Sequence, residues 1–481
     1  MNHPTDFAVA RLPNQTDALV SHLNGNYAGL IPSSTNKTLP EKYFFWYFPA
    51  PKKLNSSKLV VWLNGGPGCS SMEGLWTENG PFAFNDNGTM ISNPNSWHLQ
   101  ANLLFVEQPV GTGFSMDESS SEFDLLALAQ SFYTFLDTFV QVFKDTKNMD
   151  LYITGESYAG TYIPYISNRL LNAVVWSDGT PIQLKGIAMG NPQMDKSIQS
   201  DPAAAVSDFD FFNDAGFFKG ANSSDIKKQA AALAEECRNL TMEQALQQPH
   251  NCYLAALLGP WYTATHTELG VGSTCFDPYH IDFQYPCGNV FNDHGYVKEG
   301  YMSDYLNTLE VQRAIHAIPQ TSDEKIEWSE CNNVQLNANA NAPSATLLDR
   351  IISTQVNVLI YVGDRDSVCN YVGVERVLGN MTWGGAKGFN PTIASQPWIL
   401  NASSAGMMRR ERGLTYVRLF GSGHMVPADS PVAASALLAM LLSGSSNGGD
   451  SIQMPSGSKG GRRSLAECAA FLMVFIILVF S

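Results

Sequence analysis

Three residues of this chain have the types and settings that nucleophilic catalysis requires. Ser157 stands in Gly155-Glu156-Ser157-Tyr158-Ala159-Gly160, after the apolar run Leu151–Thr154 and ahead of a helical pattern from Tyr158 to Asn172. A serine at a sharp strand-to-helix turn, between small neighbours, holds its hydroxyl out toward a reactant. That hydroxyl is a weak nucleophile until an adjacent base takes its proton. His424, in Gly421-Ser422-Gly423-His424-Met425-Val426-Pro427 beyond the run Thr415–Phe420, is the candidate base. An acid to orient it follows the run Val356–Val362 in Gly363-Asp364-Arg365-Asp366, where both aspartates qualify by type. Serine, aspartate and histidine in this chain order form one of the recurring arrangements for acyl transfer.

A fourth element completes that chemistry. The run Leu59–Leu63 ends in Asn64-Gly65-Gly66-Pro67-Gly68, followed by Cys69-Ser70-Ser71. Glycines without Cβ atoms let backbone N–H groups approach a ligand closely, and the C-terminal end of a buried strand is where α/β proteins place their sites. The loop is therefore expected to form an oxyanion hole.

These residues must be positioned by a sheet. Strand-like runs recur at Tyr43–Phe48, Leu59–Leu63, Leu103–Val106, Leu151–Thr154, Gly186–Met189, Val356–Val362 and Thr415–Phe420. Several are apolar throughout, as in strands covered on both faces of a mainly parallel sheet. Amphipathic helical stretches lie between them, at Glu122–Phe143, Tyr158–Asn172 and Pro431–Leu442. The alternation predicts an α/β fold with right-handed crossovers. It lapses over 201–297, which holds four cysteines, a short helical piece at Ser224–Leu240 and aromatic loops. That stretch is expected to be an insertion forming a disulfide-pinned lid, with the core divided between 1–200 and 298–442 and a linker and tail at 443–481.

With 481 residues, 44% apolar and 15% charged, the composition is that of a globular protein. A net charge of −15 argues against nucleic acid as a partner, because no basic face is available to release phosphate counterions. None of the eight cysteines forms a C-x-x-C pair, so disulfides fit better than a zinc site. Eight N-x-[ST] sequons, at Asn14, Asn36, Asn55, Asn87, Asn222, Asn239, Asn380 and Asn401, agree with a secretory route and are candidate glycosylation sites. The first twenty residues contain no apolar core of a signal peptide. At the other end, Ser456-Gly457-Ser458, a polar spacer with Arg462 and Arg463, and an apolar run from Ala469 to Phe480 match a GPI-attachment signal. The expected location is the secretory pathway, ending outside the cell, at its surface, or in a vacuole. The expected leader is missing from the sequence.

Asn64-Gly65-Gly66-Pro67-Gly68-Cys69-Ser70-Ser71, Gly155–Gly160, Gly363–Asp366 and Gly423–Pro427 together resemble the motifs of the serine carboxypeptidase family, in the family's order, over about Val20 to Leu442. The appearance is nearest to fungal secreted members. The resemblance implies an α/β-hydrolase fold and release of C-terminal amino acids from peptides and proteins through an acyl-enzyme. It implies Ser157 as nucleophile, His424 as base and acid, and Asp366 as orienter, with the N–H groups of Gly66 and Tyr158 forming the oxyanion hole. It places a reader for the substrate's terminal carboxylate at Trp62, Asn64, Gly65, Glu78 and Glu156. Two acids facing an anion can work only if they share a proton, so the resemblance implies best peptide hydrolysis at acidic pH. It also implies the disulfides Cys69–Cys331, Cys237–Cys252 and Cys275–Cys287, and a free thiol at Cys369.

Other readings fare worse on the residues. An esterase or acyltransferase would use the same acyl-enzyme, but a neutral ester needs no carboxylate reader. An inactive surface-anchored binding protein would have no use for an intact Ser157, Asp366 and His424. No histidine is followed by glutamate at the spacing of a metallopeptidase site, and Glu107–Ser115 lacks the phosphate-loop pattern. No cofactor or metal is expected.

Overall fold

The structure, a computed structural model, describes residues 3–16, 19, 23–35, 41–115, 123–199, 204–215, isolated helical positions between 225 and 236, 274–286 and 298–444. Ten strands form one sheet: β1 (Tyr27–Pro32), β2 (Lys42–Phe48), β3 (Lys58–Leu63), β4 (Asn102–Glu107), β5 (Asp150–Glu156), β6 (Leu184–Gly190), β7 (Asn357–Gly363), β8 (Gln396–Leu400), β9 (Ser403–Glu411) and β10 (Leu414–Leu419). Their order across the sheet is β1-β2-β4-β3-β5-β6-β7-β10-β9-β8. The six strands from β4 to β10 in that order run parallel, and two antiparallel strands close each edge. This is the α/β-hydrolase architecture expected above.

The apolar runs become parallel strands because each face of the sheet has its own core. On β3, Val61 and Leu63 enter one cluster, where α1 (Leu125–Val142) and α2 (Ala159–Ala173) supply Phe132, Phe135, Phe139 and Ile163. Val60 and Trp62 enter the other, with Phe44, Trp46, Phe105 and residues of α3 (Pro431–Ser443). Alternation along the strand thus buries both sets of side chains. Each fully buried Leu, Val or Phe contributes about 1.5–3 kcal/mol relative to exposure. Asp124 caps α1 by accepting the Ala127 N–H at 2.8 Å, so the helix starts at Leu125 rather than Glu122. The stretch Pro431–Ser443 is not amphipathic: Ala433 to Leu438 are all buried, as suits a helix apolar on every side.

Within 201–297 the structure describes a helix, Ala204–Asp214, and an antiparallel hairpin, Thr274–Asp277 with His280–Pro286. The bridges expected for Cys237–Cys252 and Cys275–Cys287 lie outside the described residues, as do the sequons at Asn36, Asn222 and Asn239 and the tail beyond 444. Asn14, Asn55, Asn87, Asn380 and Asn401 are all exposed.

Candidate active site

The C-terminal ends of β3 and β5 and the loop beyond β10 meet at one cleft of about 700 Å³, lined by Asn64, Gly65, Glu156, Ser157 and His424 among others. Directly beyond β3, Asn64 gathers neighbours. Its Oδ1 accepts the Trp62 indole N–H at 2.7 Å and the Gly74 N–H at 3.2 Å. Its Nδ2 donates to Glu156 Oε1 at 3.0 Å and to Glu73 Oε2 at 3.3 Å, and Glu78 Oε1 lies 3.5 Å away. Glu78 comes within reach because Gly74–Glu78 form a π-helical turn, a local irregularity frequent at functional sites. The loop is anchored to the chain's second half. Cys69 and Cys331 are disulfide-bonded, Ser70 N–H donates to the Glu330 carbonyl at 2.7 Å, and Asn332 N–H to the Gly68 carbonyl at 2.9 Å.

Ser157 occupies the turn between β5 and α2 with φ of +60°, a left-handed conformation that non-glycine residues rarely adopt. Such strain persists only where surrounding structure enforces it. Here Ser157 N–H donates to the Gly190 carbonyl at 2.9 Å, and the Ser157 carbonyl accepts from Gly160 and Gln193. Gly65 lies directly against the turn: a Cβ there would stand 2.5 Å from Tyr158 N and 2.7 Å from Ser157 Cβ. Among the described residues, the N–H groups of Gly66 and Tyr158 donate to no other group.

The aspartates that the sequence left equivalent are separated by geometry. Asp366 is fully buried and its Oδ2 lies 2.7 Å from His424 Nδ1. Asn191 Nδ2 donates to the same oxygen at 2.7 Å, and Val368 N–H donates to Oδ1 at 2.8 Å. Asp364 instead accepts the Gly421 N–H at 2.7 Å. Asn191, Glu73 and Tyr279 were absent from the residues expected above. Tyr279 sets its ring edge-on to His424, with centroids 5.1 Å apart, and also lines the cleft. Cys369 forms no disulfide. Burial and the charges of Asp366 and Glu156 push its thiol well up, so it is a poor nucleophile.

Burial dominates the acids. It raises Glu78 to about 7, against hydrogen bonds from Glu156 and Asn64 that lower it. It raises Glu156 well above the ordinary range, helped by the charges of Glu78 and Glu73. Glu78 Oε2 and Glu156 Oε2 are both buried without a hydrogen-bond partner, which one proton held between the two carboxyls would satisfy. Burial acts to lower His424, but the charge and hydrogen bond of Asp366, with Glu78 and Asp277 beyond, outweigh it and raise the imidazole.

Glu107 at the end of β4 is also fully buried and raised to about 7 by burial, although Ser70 Oγ, Phe114 N–H and Trp328 Nε1 all donate to it. A carboxyl with a folded pKa above its unfolded value binds its proton more tightly when folded. The resulting stability is present below about pH 4.5 and lost as pH rises through about 7, at roughly 3 kcal/mol per group as an upper figure. The raised His424 acts in the same direction. Tm is therefore expected to be higher at pH 5 than at pH 8, with Glu107→Gln removing part of the slope; a Tm that climbs over this interval would contradict the assignment.

The sequence profile of the serine carboxypeptidase family matches residues 18–444. The pheromone-processing carboxypeptidase kex1 of Neurospora crassa is 32% identical over 446 residues, covering 89% of this chain and 64% of that protein. The pheromone-processing carboxypeptidase KEX1 of Saccharomyces cerevisiae is 31% identical over 429 residues, covering 82% of this chain and 57% of that protein. The chain thus spans less than two thirds of the length of these relatives. A crystal structure of Kex1ΔP, a prohormone-processing carboxypeptidase from Saccharomyces cerevisiae, aligns with a TM-score of 0.75 at 26% identity, covering 92% of this chain and 97% of that one.

Proposed function

The chain belongs to the serine carboxypeptidase family, and we propose that it is a serine-type exopeptidase releasing C-terminal residues from peptides and proteins. In this reading Ser157 Oγ attacks the last peptide carbonyl while His424 Nε2 takes the hydroxyl proton. The Gly66 and Tyr158 N–H groups receive the developing oxyanion. The intermediate collapses, His424 returns the proton to the departing amine, and water then hydrolyses the acyl-enzyme by the same route. Asp366 holds the imidazole with Nδ1–H toward itself.

The observation that carries the exopeptidase reading is the hydrogen-bonded cluster of Asn64, Glu78 and Glu156 beside the nucleophile. Glu156 directly precedes Ser157, so whatever reads a terminal carboxylate there sits within one residue of the reacting bond. A protonated carboxyl donates to that anion, whereas two ionised ones repel it. Peptide binding is thereby expected to weaken as pH rises through about 7, the value to which Glu78 is raised. The cleft also presents Glu73, Asp304 and Glu330, and no Lys or Arg among its described lining residues, which favours a cationic substrate side chain. The relatives' names speak of pheromone and prohormone processing, which supports peptide precursors as substrates here. Five exposed sequons and the Cys69–Cys331 bridge support a secretory route, and the C-terminal run supports GPI attachment.

Incubation with a mixed peptide set at pH 4–7, read by mass, tests the function. Stepwise loss from the C-terminus is expected, fastest for Lys and Arg, with amidated peptides resistant; internal cleavage would overturn the reading. Glu156→Ala is expected to raise KM for peptides about 10- to 100-fold, the worth of a charge-assisted hydrogen bond, and to leave an ester substrate nearly unaffected. The double variant Glu78→Gln/Glu156→Gln keeps donors without a titrating proton and should flatten the pH dependence of peptide KM. An unchanged pH profile in that variant would remove the shared proton from the mechanism.

A further inference from the structure

The hairpin tip Asp277–Asp282 lies in the insertion, outside the sheet that carries the triad, yet it touches both the acid loop and the base loop. The Tyr279 carbonyl accepts the His424 N–H at 2.8 Å. The Pro278 carbonyl accepts both the N–H of Ser367, at 3.0 Å, and its Oγ, at 2.7 Å. Ile281 N–H donates to the Arg365 carbonyl at 3.0 Å, and Arg365 Nε lies 3.0 Å from Asp282 Oδ2. The approach leaves no slack: a Cβ at Gly423 would stand 2.2 Å from the Tyr279 oxygen and 2.9 Å from His280 Cβ. Tyr279 is itself held by its N–H on Asp277 Oδ1 at 2.8 Å, and Asp277 is fully buried.

From these contacts we infer that the hairpin tip is a positioning element of the catalytic base, fixing His424 against Asp366 and toward Ser157. The sheet alone leaves this undetermined. His424 sits beyond β10 in a loop with glycines at 421 and 423, and Asp366 sits beyond β7 in a separate loop. One side of the imidazole is set by Asp366 Oδ2; the backbone carrying the ring is set by Tyr279, whose own ring packs against the imidazole in a T-shaped contact. The same tip grips the residues on either side of Asp366, at Arg365 and Ser367. A shift of the hairpin would therefore move acid and base relative to the nucleophile, and displacements of about 1 Å are enough to cost about 10²-fold in rate. The tip also places a buried acid near the imidazole. The charged groups facing His424 are Asp366 from the acid loop, Glu78 from the π-helical turn and Asp277 from the hairpin, and each favours the imidazolium. Tyr279, Pro278 and Asp277 are thus positioning residues for acyl transfer, whatever lies elsewhere in the insertion.

The inference rests on the triad reading proposed above, and its test uses a p-nitrophenyl ester, so that the carboxylate-reading specificity can fail without altering the result. In the full chain, the double variant Asp282→Ala/Ser367→Ala removes the ion pair and one hydrogen bond of the docked tip and leaves the triad residues in place. Rates are expressed per serine titrated by a phosphonofluoridate, which counts folded sites and corrects for any loss of protein. The expected result is a fall in kcat of about 10- to 100-fold with KM within about twofold. A second variant, Asp277→Asn, keeps the acceptor for Tyr279 and removes the charge; the acid limb of its kcat/KM profile is expected to move to lower pH. If the double variant loses only Tm, with kcat per titrated serine and both pH limbs as in the wild type, the hairpin is merely structural and the inference is overturned.

Discussion

Replacing Ser157 by alanine is expected to lower kcat by about six orders of magnitude on peptides and esters alike, with Tm within a degree or two of the wild type. The size follows from the way a triad acts as a unit: losing the nucleophile costs as much as losing all three members, and the residual rate comes from binding and the oxyanion hole. The structure explains why stability should be spared. Ser157 holds φ of +60° because its N–H and carbonyl are pinned to Gly190, Gly160 and Gln193, bonds that involve only the backbone. Alanine has the same Cβ, so the strain neither grows nor is relieved. Nor is a substitute nucleophile at hand, since the Cys369 thiol is pushed well up by burial and by two nearby carboxylates. The measurement is kcat on an ester together with thermal unfolding. Retention of even a hundredth of the activity would remove Ser157 from the mechanism.

What could be read in the chain beforehand depended on the range of the interaction. The parallel strands were legible because burial on both faces forces continuous apolar runs, and Leu59–Leu63 differs from the observed Lys58–Leu63 by one residue. The edge strands were not. β8 reads Gln396-Pro397-Trp398-Ile399-Leu400 with only Trp398 buried, and β1 carries a glycine and a proline, since an edge needs no second apolar face. The residues around the site divide in the same way. Ser157 and Gly65 announce themselves through neighbours in sequence that shape a turn. Asn191 meets its partner Asp366 across 175 positions, and no local pattern marks it beyond its place just after an apolar run, where a strand end would put it. Tyr279 lies in a stretch without sheet periodicity, and only the fold brings it onto His424. Glu78 was reached through family resemblance; the π-helical turn that directs it inward has no signature in Gly74-Leu75-Trp76-Thr77-Glu78.

Asp366→Asn is expected to lower kcat by about 10⁴-fold while leaving KM and the fold nearly unchanged, and Asp364→Asn by less than about threefold. The argument turns on which groups surround the carboxylate. Oδ1 faces the Val368 N–H, and Oδ2 faces both Asn191 Nδ2 and His424 Nδ1, so every neighbour of the acid is a donor or is required to be one. An asparagine at 366 has a single carbonyl oxygen. If it keeps the backbone donor at Val368, its own NH2 turns toward His424, which must then accept at Nδ1. That tautomer carries its proton on Nε2 and cannot take one from Ser157. If the amide flips, its NH2 meets the Val368 N–H instead, and the fold loses a buried hydrogen bond, about 1–3 kcal/mol. The first arrangement abolishes the base and sets the new NH2 against the Asn191 NH2, which must turn its own amide to accept; the second preserves the base and loosens the loop that positions it. Either way the loss appears in kcat rather than KM, because nothing that reads the substrate's carboxylate has changed. Asp364 makes no such demand: its partner is the Gly421 N–H, which an asparagine oxygen can still accept. Steady-state kinetics of the two variants therefore separates two aspartates of identical chemistry two positions apart, and comparable losses in both would mean that loop integrity, rather than the tautomer of His424, is what Asp366 supplies.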